Sequence, residues 1–249
     1  MRKLYRSFVF SYMHDIAKLE AKSPGSIAKG KRFSTVYKRR SELTAGRLKV
    51  LMAQGFNKRV IALADETEVH SDDELAEGVT TDSGEAVYHI KEKEGRSTKV
   101  MNFFRMADVR RRRMDQSKRK QYKLPERRRE DPVMPQPSAL TALPKQVPID
   151  WFDPSYWNNT LTVREHADYI EDGVDVALPL EEFCKTWEDC AKWKNLPKKE
   201  FMQTYGNAVL DLYDMPTEQE LEQLARWEDG EGEKSSSNSE GGDDNDDGE

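Results

Sequence analysis

The sequence predicts a mainly α-helical protein with a helical basic N-terminal half, a small C-terminal helical bundle, disordered linkers and an acidic tail. Three observations carry this. Apolar residues recur at helical spacing in several windows. Thr162 with Glu165, and Thr217 with Glu220, have the spacing of capping boxes. Charge falls in blocks: residues 1–64 carry 15 Lys/Arg against 3 Asp/Glu, 65–95 carry 2 against 11, and 96–129 carry 14 against 3. The first 129 residues hold +14 and the last 120 hold −20, which the formal net charge of −6 conceals. With 35% charged and 36% hydrophobic residues, the chain is lean for one compact core.

The expected order begins with a basic helical region, 1–64. Leu4, Phe8, Tyr12, Ile16 and Leu19 share one face of a first helix, and Asp15 and Glu20 make it a poor secretory or mitochondrial leader. After a break at "KSPGSIAKGKR", a second helix is expected over about 33–54, weakened at Gly46. Phe33 and Tyr37, at i and i+4, read as a buried pair, with stacking on exposed bases as the alternative. Residues 65–95 read as an acidic loop or disordered segment with too little to bury, and "AVYHIKEK" as one strand without a clear partner. Residues 96–129 form a basic helix capped by Ser97 and ended by Pro125. Seven of the eleven prolines lie between Pro125 and Pro154, which makes 130–154 an extended linker. All five tryptophans lie in Trp151 and beyond, so 155–227 is the expected Trp-rich bundle, with helices at "VREHADYIE", "LEEFCKTWEDCAKWKNL", "KEFMQTYGNAVLDLYDM" and "EQELEQLARW". The remaining 228–249 is the disordered acidic tail.

The run "RRRRMDQSKRKQYKLPERRR" supplies the candidate nucleic-acid contacts: Arg110, Arg111, Arg112, Arg113, Lys118, Arg119, Lys120, Arg127, Arg128 and Arg129. Such cations displace counterions from phosphates, and the same clusters match a nuclear address. Four consecutive arginines span a helical turn and point all round it, which argues against a buried role. In "PIDWFDPSYWNNTL", Trp151, Phe152, Tyr156 and Trp157 are candidate partner-binding anchors or, as the plainer alternative, a strap across the chain's own bundle. Ser71 and Ser237 precede acids in the manner of acid-directed kinase sites, and the acidic tail is a candidate competitor for the basic half.

Catalytic and metal signals are thin. His14, His70, His89 and His166 are scattered, and Cys184 and Cys190, six apart on one expected helix, are separated by an axial rise of about 9 Å, beyond disulfide reach. Both read as buried thiols. Walker, dinucleotide, nucleophile-elbow and zinc patterns are missing from the sequence. The reading is a non-enzymatic intracellular adaptor in the nucleus, with the cytoplasm as alternative and the mitochondrion behind it. It takes no cofactor or metal, meets nucleic acid or another polyanion through 96–129 and a protein through its C-terminal half, and does not enter a membrane. The alternative reading is a pure protein-interaction module whose basic run is only an address, followed by an accessory fragment of an enzyme.

Overall fold

The structure, a computed structural model, describes residues 2–81, 84–116 and 128–234. It is mainly helical with a small three-stranded sheet. Helices α1 (Arg2–Lys22) and α2 (Ser26–Ala53) are separated by a short turn, so the expected break is confined to a few residues and α2 begins earlier than its apolar spacing suggests. Arg40, Leu43, Thr44, Arg47, Val50 and Leu51 form the buried face of α2, at steps of three and four. Its first half projects past the core. Phe33 and Tyr37 are therefore 55% and 46% exposed, which corrects their reading as a buried pair.

The acidic segment is ordered where it was expected to be loop. After the short α3 (Lys58–Ala62), β1 (Asp73–Thr80) pairs antiparallel with β2 (Ala86–Ile90), and β3 (Arg128–Glu130) adds to β2 in parallel. The partner of the "AVYHI" strand is thus "DELAEGVT". Its carboxylates conceal it from a hydrophobicity reading, because Asp73 and Glu74 are matched by cations of other elements rather than left to water. Helix α4 (Thr98–Gln116) follows, with Ser97 Oγ accepting from Val100 N at 3.3 Å. It packs on α2 and buries Val100, Phe103, Phe104 and Ala107. Pro125, expected to end this helix, lies outside the described residues.

The Pro-rich segment does more than link. Ile149, Trp151 and Phe152 are core residues. Buried Asp150 accepts from the backbone N–H groups of Ala177 and Leu178 at 2.8 Å each, with Lys99 Nζ 3.4 Å away. Gly95 adopts φ +72°, and a Cβ there would lie 2.7 Å from the Tyr156 ring, so glycine is required both by backbone and by space.

In the second half, α5 (Pro154–Thr160) is capped by Asp153, and α6 (Val163–Ile170) carries the Thr162/Glu165 capping box. "LEEFCKTWEDCAKWKNL" is not a helix. It folds as two 3₁₀ turns, Glu181–Phe183 and Asp189–Lys192. Trp193 anchors it by donating from Nε1 to Phe183 O at 2.9 Å, and its full burial is incompatible with the continuous face the spacing suggested. Cys184 and Cys190 are buried free thiols, as expected. Helices α7 (Lys198–Phe201) and α8 (Asn207–Leu210) are joined by a π turn, Met202–Gly206, and α9 (Glu218–Lys234) runs beyond 227 into the acidic segment.

One core joins the two halves of the chain. Phe56 and Phe103 pack on Trp187 and Trp193, and Phe152 packs on Trp157 and Tyr169. Arg59 pins α3 to the C-terminal turns: its guanidinium donates to Leu196 O and Trp193 O, each at 2.7 Å, and stands 3.8 Å over the Phe201 ring.

Candidate polyanion-binding face

A cation on the buried face of a helix must find an opposite charge or be expelled. Arg47 of α2 is such a cation, 2% exposed. Asp108 of α4 faces it, accepting from Nε at 2.9 Å and from Nη2 at 2.6 Å in a bidentate fork. The third guanidinium nitrogen, Nη1, lies 2.7 Å from His70 Nδ1, while His70 Nε2 lies 3.0 Å from Ala64 O. A carbonyl only accepts, so Nε2 carries the proton and Nδ1 accepts from Arg47. Burial, and then the charge of Arg47, hold His70 well below its ordinary pKa, in the neutral form this tautomer requires. Burial alone would raise Asp108, but the charge and hydrogen bonds of Arg47, followed by the charge of Arg129, hold it well below the usual carboxylate range.

From Asp108 the network continues. Arg129 of β3 stands 3.5 Å from Asp108 and 2.9 Å from Asp73 of β1, and Arg39 of α2 stands 2.9 Å from the same Asp73. At the strand's next residue, Glu74 pairs with Arg32 and with Lys91, the latter at 2.7 Å. Five cations thus share three carboxylates. Nearby Arg96 is drawn down to about 9, first by burial and then by the charges of Arg47, Arg105 and Arg129. Arg105 has its own acid, Asp131.

The structure divides the basic run predicted from sequence. Arg129 belongs to the internal network, and Arg128 pairs with Glu130 at 2.9 Å. Arg111 lies across α2 at Gly46, where a Cβ would meet its Cδ at 2.9 Å. Gly46 is therefore a close-approach position, a role its reading as a weak helical residue missed. Arg110, Arg112 and Arg113 hold no ion pair among the described residues. Lys118, Arg119, Lys120 and Arg127 lie outside the described residues. Arg129, expected as a nucleic-acid contact, instead has its side chain only 10% exposed, because two carboxylates from other elements await it.

The aromatic anchors are placed differently. Trp151, Phe152 and Trp157 are buried in the core and Tyr156 is half-buried over Gly95, which is the strap arrangement rather than an open anchor set. Trp151 Nε1 donates to Val69 O and Trp157 Nε1 to Asp214 O. Ser71 is buried, with its carbonyl accepting from Arg129, so its hydroxyl is not presented for modification. Ser237 lies outside the described residues. The residues that sequence reasoning missed are Arg47, Asp108, Asp73 and His70; no local pattern joins positions 61 apart, although Arg47 does fall in step with Leu43, Val50 and Leu51.

Among the described residues, no three His, Cys, Asp or Glu side chains are grouped to hold a metal, and no helix is long and apolar enough to cross a membrane. The fold and this face define a mainly helical protein organised about an internal arginine-carboxylate network. The chain belongs to a family of domains of unknown function (DUF8263), whose model matches residues 18–223, across both halves of the core. No curated protein and no solved structure matches it.

Proposed function

We propose that this chain is a non-enzymatic nuclear adaptor that binds nucleic acid or a comparable polyanion on the face formed by α2, α4 and β3, and a protein partner through its acidic C-terminal half. The observation that carries the reading is the charge imbalance. Asp73, Glu74 and Asp108 are each already shared between two cations, and Arg110, Arg112 and Arg113 on α4 and Lys29, Lys31 and Lys38 on α2 hold no acid among the described residues. Cations held on two packed helices meet a phosphate backbone with less ordering cost than cations on a coil.

The test is oligonucleotide binding as a function of salt. If three arginines each neutralise one phosphate on duplex, replacing Arg110, Arg112 and Arg113 by Ala should reduce the log-log salt slope by about 2.7, since each contact contributes about 0.9. Absence of binding at low salt would remove the polyanion reading. It would leave a protein-interaction module whose basic run acts as a nuclear address, which relocation of the same variant from nucleus to cytoplasm would support.

A further inference from the structure

We infer that the preferred ligand of this chain is a single strand with exposed bases, stacked on Phe33 and Tyr37 of α2 beside the groove that Phe33 lines between α2, β1 and residues 137–140. The inference rests on the polyanion reading above and narrows it. Phe33 and Tyr37 stand 55% and 46% exposed one helical turn apart on an ordered helix. Single exposed aromatics need no explanation. A pair at i and i+4 does when Lys29, four residues before Phe33, continues the same face of the helix, because that juxtaposes π faces and phosphate-seeking charge along one line.

The groove gives the pair a setting. It encloses about 670 Å³, and Lys29, Arg32, Phe33 and Val36, at steps of three and four, line its α2 side. Across it lie Leu75, 48% exposed, and Leu140. Val36, Leu75 and Leu140 give the groove apolar walls, while Lys29 and Arg32 make its α2 rim cationic. The acids of the groove do not oppose a phosphate backbone at full strength. Asp73 and Glu74 are each paired twice, and the charge of Asp72 is felt by Arg40 and Lys93. A duplex keeps its bases stacked inside and offers this face phosphates alone. A single strand offers phosphates to the lysines and bases to Phe33 and Tyr37.

Three probes of equal length, an oligothymidylate strand, an abasic strand and a duplex, are titrated by fluorescence anisotropy at low salt against the wild-type chain and the Phe33→Ala/Tyr37→Ala variant. Both residues are exposed, so the variant should keep its melting temperature, which circular dichroism checks. The expected result is a loss of about 10- to 100-fold for oligothymidylate. Binding to the abasic strand and the duplex should stay within about twofold, with the salt slope unchanged. An equal loss on the abasic strand, or no loss on oligothymidylate, would overturn the stacking site while leaving charge-driven binding intact. Failure of all three probes to bind the wild-type chain would overturn the polyanion reading first and this inference with it. Retention of oligothymidylate binding alongside capture of a basic or apolar peptide that Phe33→Ala/Tyr37→Ala abolishes would reassign the groove to a protein partner.

Discussion

Replacing Asp108 by Asn tests whether the internal network holds the fold together. The substitution preserves volume, so no cavity term enters, and it removes a single negative charge between two arginines. Asp108 accepts two charge-assisted hydrogen bonds from Arg47, at 2.9 and 2.6 Å, and faces Arg129 at 3.5 Å. An Asn can turn one oxygen to Arg47, but its NH₂ group then points at a guanidinium donor. Two guanidinium groups with little access to water would share one neutral acceptor. Breaking a buried pair from one side typically costs about 3–5 kcal/mol, mostly the price of the charge left behind. For a chain of this size that corresponds to a melting temperature lower by roughly 6–20 °C. Urea unfolding followed by tryptophan fluorescence reads the change directly, since Trp151, Trp157 and Trp193 are all buried. The companion Arg47→Met/Asp108→Leu variant should lose less than Asp108→Asn alone, because it removes both members of the central pair. A loss below about 1 kcal/mol for Asp108→Asn would refute the argument, showing the carboxylate to be replaceable by solvent.

Other outcomes follow from the same contacts. His70 is held below its ordinary pKa, so below about pH 6.5 the unfolded chain binds a proton the folded one refuses; stability should be full above that pH and fall as pH drops, by up to about 1.4 kcal/mol per unit. His70→Gln should flatten that slope in urea midpoints measured from pH 7 to 5, and an unchanged slope would place the titrating group elsewhere. Burial pushes Cys184 up to about 11 and Cys190 up to about 12, so a thiol-specific reagent at pH 8 should label them only on unfolding, and rapid labelling of the native chain would contradict their burial. Arg129→Ala should cost about 1–3 kcal/mol of stability by leaving Asp73 with Arg39 alone and Asp108 with Arg47 alone, whereas Arg112→Ala/Arg113→Ala should stay within about 0.5 kcal/mol and lose affinity for polyanions instead; equal unfolding curves for the two variants would remove the distinction between structural and free cations.

What the sequence made legible was local. The capping boxes at Thr162 and Thr217 fold as read, because a hydroxyl and a carboxylate three residues apart need nothing else. The Ser97 cap, the α1 helix and the thiol state of the cysteines were equally accessible. What depended on distant partners was hidden. Strand β1 reads as an acidic coil until Arg32, Arg39, Lys91 and Arg129 are placed beside it. The 181–197 segment has helical spacing, but its turns are set by Trp193 and by Lys194, whose Nζ donates to Gln54 O at 2.7 Å. Phe33 and Tyr37 have the spacing of a core pair, and only the extent of α2 beyond the core shows that they stand about half exposed among the described residues. The basic run was visible, but its division into network and free cations was not, since that depends on where Asp73 and Asp108 stand.

The order of the charge blocks has a physical sense once the fold is known. Two cation-rich segments, 1–64 and 96–129, must pack against each other because the apolar faces of α2 and α4 form part of one core. Their mutual repulsion would oppose that packing, and it acts with little screening where water is excluded. The acidic segment between them enters as strand β1, and its first residues meet both neighbours: Asp73 touches Arg39 from one side and Arg129 from the other, while Glu74 reaches Arg32. The acids are therefore internal counterions, consumed in assembling the face. Because Asp73 and Glu74 are already shared, Arg112 and Arg113 on α4 and Lys29, Lys31 and Lys38 on α2, which hold no acid among the described residues, are retained at a cost in self-repulsion. That cost is offset when an external anion supplies the missing charge, which makes those five cations the places to look for a ligand.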